Sequence, residues 1–128
     1  MAADQLKLPY IYVRPKPKEH GLGNQIEGYY EAAQKVLIIE DLISTGKSSL
    51  QVVEVLQKAN IEVVGIVSIF TYGFSVADKA FADAGITCVS LTNYPTLISL
   101  AVEKKIVSAD IETLLMNWQN DPAAWQGV

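Results

Sequence analysis

Residues 36–49 read Val-Leu-Ile-Ile-Glu-Asp-Leu-Ile-Ser-Thr-Gly-Lys-Ser-Ser, an apolar run that ends in two adjacent carboxylates and then passes through small hydroxyl residues. Val36 to Ile39 form a continuous aliphatic and β-branched stretch, the pattern of a parallel strand covered on both faces. Glu40 and Asp41 are then expected at its carboxyl end, the edge of an open α/β sheet where ligands bind. An ionised carboxylate only accepts hydrogen bonds, so the pair suits the neighbouring hydroxyls of a ribose and would repel phosphate. An anion is better served by Ser44-Thr45-Gly46-Lys47-Ser48, where backbone N–H groups meet the positive end of a helix that begins near Lys47. Gly46 is expected to let the backbone approach that anion without a Cβ in the way. The segment thus has the chemistry to hold a phosphorylated sugar.

Other readings of the same letters do less. Gly46-Lys47-Ser48 matches the second half of a nucleoside-triphosphate P-loop, but Asp41 stands where that motif needs its first glycine. A receiver domain also places acidic residues after a strand, yet it needs an acceptor aspartate closing a later strand, and here those strands end in Phe70-Thr71 and Leu91-Thr92. An ordinary strand-to-helix turn with Ser-Thr capping explains the hydroxyls. It leaves the carboxylate pair unexplained.

Glu40-Asp41-Leu42-Ile43-Ser44-Thr45-Gly46-Lys47-Ser48 resembles the phosphoribosyl-pyrophosphate motif of the type I phosphoribosyltransferases. Upstream, Tyr12-Val13-Arg14-Pro15-Lys16-Pro17-Lys18-Glu19-His20-Gly21 resembles the mobile catalytic loop of the orotate phosphoribosyltransferases, in which Arg, Lys and His recur at this spacing. Phe70-Thr71-Tyr72-Gly73-Phe74 is similar to the segment that follows the next strand in one bacterial branch. The resemblance covers essentially the whole chain.

The 128 residues are enough for one domain with a real core. Half of them are hydrophobic and 19% are charged, a balance that argues against disorder. A net charge of −4 argues against nucleic acid as a partner, since phosphate-backbone binding needs a basic face. The basic cluster is local, at residues 14–18. No apolar run is long enough for a membrane helix, and the opening Met-Ala-Ala-Asp-Gln lacks a charged-then-apolar leader pattern, so a cytoplasmic location is expected. The single cysteine, Cys88, sits in Ile-Thr-Cys-Val-Ser-Leu and reads as a small buried strand residue rather than a reactive thiol.

Strand patterns occur at Pro9–Arg14, Lys35–Ile39, Glu62–Phe70 and Ile86–Leu91. The last three alternate with helical patterns at about 48–59 and 75–84, which predicts a parallel sheet with right-handed crossovers. In the first helix Leu50, Val53, Val55, Leu56 and Ala59 lie on or near one face, and Asn60 is suited to a left-handed stop. Two further helices are expected at about Pro95–Lys104 and Ser108–Trp118, the first opened by Pro95 after Asn93 or Tyr94 and the second capped by Ser108. Met116, Trp118 and Trp125 read as packing residues. Residues 15–34 form a connection of unusual length between strands, which is either a solvated charged loop or a cationic lid. The neighbouring anion site favours the lid, because Lys16, Lys18 and His20 could neutralise charge on a leaving pyrophosphate while Gly21, Gly23 and Gly28 supply hinges.

The fold implied by the resemblance is a Rossmann-like α/β core with a parallel sheet. The implied activity is transfer of the phosphoribosyl group from 5-phospho-α-D-ribose 1-diphosphate to orotate, giving orotidine 5′-monophosphate and pyrophosphate. The implied cofactor is Mg²⁺, held mainly by substrate oxygens and water, with no residue of the chain assigned as a direct ligand. By match to the motif, Glu40 and Asp41 hold the ribose, Ser44, Thr45, Gly46, Lys47 and Ser48 hold the 5′-phosphate, Leu42 and Ile43 belong to the same sugar-diphosphate motif, and Ser44 also faces orotate. Arg14, Lys18 and His20 engage pyrophosphate, with Lys18, His20 and Asp41 in the catalytic roles. A homodimer is implied. Where some relatives place an orotate-binding arginine, this chain has Thr71-Tyr72-Gly73. The opening Ala2-Ala3-Asp4-Gln5-Leu6 looks like the end of a helix under way, so a carboxyl-terminal portion without the family's amino-terminal hood is expected, with an exposed sheet edge. A non-catalytic sensor of the sugar diphosphate and a purine-type phosphoribosyltransferase are the alternative functions.

Overall fold

A computed structural model describes residues 2–16 and 25–125. The parallel sheet is built from β3 (Lys35–Ile43), β4 (Glu62–Thr71) and β5 (Cys88–Asn93), in that spatial order. Helix α2 (Lys47–Lys58) joins β3 to β4, and α3 (Ser75–Asp83) joins β4 to β5. The alternation of strand and helix expected for a parallel sheet is present.

Two rows of side chains run straight across the sheet on the side covered by α2 and α3. Ile38, Ile66 and Cys88 are register neighbours in one, and Glu40, Ser68 and Ser90 in the other. Side chains in register share a face, so α2 and α3 close over an apolar row followed by a polar one. Val53 and Leu56 of α2 and Ala77 and Phe81 of α3 complete this core with Ile38 and Ile66, none of them more than 8% exposed. Each such aliphatic side chain, fully buried, is worth about 1.5–3 kcal/mol relative to exposure.

The other side of the sheet is different. Ile39, Val67 and Val89 form a register row there, yet Ile39 and Val89 are each 56% exposed, and Leu91 on the same face is 75% exposed. The reading of β3 as covered on both faces is therefore corrected: these residues bring helices to one face.

Strand β3 also continues four residues past its expected end, through Glu40 and Asp41 to Ile43. Carboxylates are poor strand formers, but the backbone there pairs with β4, Leu42 opposite Phe70 and Ile43 opposite Thr71. Tertiary pairing overrides the local preference. The alternation of burial slips along this extension, since Ile38 and Glu40 face the helices and the next inward residue is Ile43 rather than Leu42.

The remaining elements need shorter comment. Helix α1 (Ala2–Leu6) precedes β1 (Tyr12–Val13), which pairs antiparallel with β2 (Ile26–Glu27) in a separate sheet. The expected strand at Pro9–Arg14 is thus shorter than its pattern, and β2 interrupts the long 15–34 connection. Asn60 stops α2 with φ of 58° as expected, and the Ile61 amide bonds back to the Leu56 carbonyl at 3.0 Å. Helix α4 (Tyr94–Glu103) opens on Asn93, whose Oδ1 accepts from the Thr96 amide at 3.0 Å. Helix α5 (Ala109–Asn120) begins after Ser108, but that hydroxyl makes no capping hydrogen bond, and Asp110 and Glu112 in the first turn favour the helix end electrostatically instead. Trp118 packs among aromatic rings as expected, whereas Trp125 is 38% exposed and is not a core residue.

Candidate functional site

Strand β3 and helix α2 bring the two halves of the motif together at the carboxyl edge of the sheet. Ser44, Thr45 and Gly46 turn between them, and α2 starts at Lys47 with the first amides of a helix that have no partners within it. Thr45, Lys47 and Ser48 are exposed and Ser44 is half-buried, so the turn and first helical residues face solvent as an anion seat requires.

Gly46 also serves the packing of the turn. It stands at the N-cap of α2 with φ of 75°, a left-handed conformation natural to glycine. A Cβ there would come within 2.8 Å of Phe81 Cζ. The side of Gly46 that lacks a side chain is thus filled by α3, and the close approach that glycine permits is between the turn and the protein's own core.

The two carboxylates are set in unlike surroundings. Glu40 is half-buried, and its Oε1 accepts from the Ser49 hydroxyl on α2 at 2.7 Å. Asp41 is exposed, and its Oδ1 accepts from the next amide, that of Leu42, at 2.7 Å. The pair is adjacent in sequence but does not converge on one protein partner. Asp41 is the carboxylate presented to solvent.

Arg14 follows β1 and forms an ion pair with Glu27 at 2.8 Å, both groups partly exposed. Lys18 and His20, expected beside it, lie outside the described residues, as do Gly21 and Gly23. Among the described residues no group of three or more His, Cys, Asp or Glu side chains is placed to hold a metal ion.

A cavity of about 210 Å³ opens beneath the carboxyl ends of the strands, between β5 and α3, with Thr71, Asp78, Phe81, Ser90 and Thr92 in its wall. Of the motif residues it includes Ile43 alone, so it is not the expected sugar-phosphate seat. Cys88 also borders it and is half-buried rather than fully buried. Burial first, then the negative charges of Asp78 and Glu40, pushes its thiol up, which keeps it protonated and unreactive.

The Thr71-Tyr72-Gly73 segment is held by rings. Tyr72 stacks on Phe74 at 5.2 Å and meets Trp118 of α5 edge-on at 5.6 Å, while Gln119 donates to the Tyr72 carbonyl at 2.6 Å. Where an arginine for the base would stand, the chain has an aromatic anchor. Sequence reasoning also missed Ser49, Ser68 and Ser90. Ser49 follows the motif by one residue, and Ser68 and Ser90 sit inside apolar strands, so it is the register of the sheet that joins them to Glu40.

No protein-family model matches the chain. The orotate phosphoribosyltransferase of Cytophaga hutchinsonii is 49% identical over 124 residues, which are 97% of this chain and 59% of that protein. The chain spans 59% of the length of the first curated relatives that it matches. Among solved structures, the orotate phosphoribosyltransferase from Aeropyrum pernix aligns with a TM-score of 0.63 at 26% identity, over 82% of this chain and 55% of that one. The UMP synthase of Leishmania donovani aligns with a TM-score of 0.74 over 91% of this chain and 25% of that one. At 24% identity the latter is a likeness of fold.

Proposed function

We propose that this chain is a type I phosphoribosyltransferase domain, the sugar-diphosphate-binding part of an orotate phosphoribosyltransferase. The reaction is transfer of the phosphoribosyl group of 5-phospho-α-D-ribose 1-diphosphate to orotate, giving orotidine 5′-monophosphate and releasing pyrophosphate. The observation that carries this reading is the joint between β3 and α2. It presents an exposed Asp41 carboxylate immediately before a turn of half-buried and exposed hydroxyl residues and the amides of a helix start.

The roles follow from charge. Asp41 accepts hydrogen bonds from the ribose hydroxyls and faces C1 electrostatically as that carbon gains positive character. Glu40 joins it, and the amides of Ser44 to Ser48 take the 5′-phosphate. Ser44 reaches toward orotate. Arg14 exchanges Glu27 for the diphosphate, and Lys18 and His20 add positive charge to the same group. The hard oxygens of Asp41 and Glu40 fit Mg²⁺, a cation that keeps much of its water and is commonly shared with substrate phosphates. When bound, it neutralises charge on the diphosphate. The protein works in the cytoplasm as a homodimer.

Asp41→Asn keeps the shape and removes the charge. Titration calorimetry of the 128-residue chain with 5-phospho-α-D-ribose 1-diphosphate and Mg²⁺ is expected to show affinity lowered by at least about tenfold, the loss of a charged hydrogen bond. The melting temperature should not move. Equal affinities, or a lowered melting temperature with affinity intact, refute the assignment of Asp41 to the sugar.

A further inference from the structure

Two of the most completely buried side chains in the described molecule are polar. Ser49 and Ser68 are each 1% exposed. Burying a hydroxyl costs free energy unless it is hydrogen-bonded, and both are. Ser68 shares a hydrogen bond with Ser90 at 2.5 Å, and Ser49 donates to Glu40 at 2.7 Å. Glu40, Ser68 and Ser90 are one row of the sheet. Ser49 stands over the carboxylate end of that row from the first turn of α2.

We infer that Ser49 is a positioning residue for the ribose site. The Ser49 hydroxyl fixes Glu40 through Oε1, and a carboxylate has a second oxygen that can accept from a sugar hydroxyl. A glutamate side chain has rotamers to lose when it binds, and a partner that already holds it lowers that cost. The same hydrogen bond ties the strand before the phosphate turn to the helix after it. It therefore sets Glu40 and the turn at a fixed separation, so that one ligand carrying both hydroxyls and a phosphate meets them together. Ser49 touches neither the sugar nor the phosphate, and acts through Glu40.

This inference rests on the sugar-phosphate reading, and two probes separate the two. Ribose 5-phosphate and inorganic phosphate are titrated into the 128-residue chain with Mg²⁺. Ser49→Ala is expected to weaken ribose 5-phosphate by about tenfold, the worth of one hydrogen bond to a charged group, and to leave inorganic phosphate unchanged. Ser49→Thr, which restores a hydroxyl, is expected to recover most of the loss. Unchanged ribose 5-phosphate affinity in Ser49→Ala, or equal weakening of both probes, overturns the positioning role while the sugar-phosphate reading stands. A wild-type chain that binds neither probe overturns that reading, and the role of Ser49 with it. Where Ser49→Ala does not fold, the unmutated chain gives the answer by NMR: ribose 5-phosphate should move the Ser49 hydroxyl proton and inorganic phosphate should not. Equal movement with both also overturns the role.

Discussion

The two faces of the parallel sheet carry similar side chains and have unlike fates. On one, Ile38 and Ile66 are at most 8% exposed beneath α2 and α3. On the other, Ile39, Ile69 and Val89 are 56–57% exposed. Isoleucine appears on both, so hydrophobicity alone does not separate them. What separates them is cover. A strand that is apolar on both sides has the capacity for burial on both, and the capacity is realised where an amphipathic helix lies over it.

Ile66→Ala should be the most damaging single truncation, costing about 2–5 kcal/mol in urea unfolding, as for large-to-small changes in a close-packed core. The same change at Ile69, three positions along the same strand and on the opposite face, should cost under about 1 kcal/mol. Similar losses at both positions would mean that the second face is covered in solution. Charge placed on the bare face gives a smaller effect on stability and a visible one on surface chemistry. Leu91→Lys should alter the unfolding free energy by no more than about 0.5 kcal/mol, and it should reduce fluorescence of an apolar dye bound to the folded chain. Undiminished dye binding would place the accessible apolar surface elsewhere.

The smallest expected effect concerns pH at the edge of the covered face. Cys88 has a folded thiol raised by burial and by Asp78 and Glu40, so the folded chain retains that proton more tightly than the unfolded one. Its contribution to stability is then complete below the ordinary thiol range, near about 8.5, and is lost as pH rises through the higher folded value. Urea midpoints of wild type and Cys88→Ser, followed from neutral to alkaline pH, should converge as pH rises. Parallel curves would remove Cys88 from the account.

Much of this architecture is legible in the chain. The repeated run of strand and helix from Lys35 to Asn93 is announced by aliphatic strands, by the apolar stripe of Val53 and Leu56, and by stops such as Asn60. Periodicity encodes those features locally. The extension of β3 through Glu40 and Asp41 is not announced, because its hydrogen bonds belong to β4. Ser49 is hidden for a similar reason: a serine in a helix start is ordinary, and its meaning depends on a carboxylate nine positions earlier. The motif identifies which residues gather at the edge. Only the folded contacts show that its two carboxylates are held differently, Glu40 by the Ser49 hydroxyl and Asp41 by the next amide.

The ring cluster at Tyr72 has a consequence for how the molecule comes apart. Helix α5 has no buried residue of its own, and Trp118 and Gln119 connect it to the Tyr72 segment through ring contacts and one hydrogen bond. The sheet is held by a continuous ladder and a buried core, whereas α5 rests on α4 and a cluster of aromatic rings. Such a helix opens at lower free energy than the sheet. The indole of Trp118 therefore serves as an internal gauge, its emission shifting at the first loosening of the carboxyl-terminal helix while the strands remain paired.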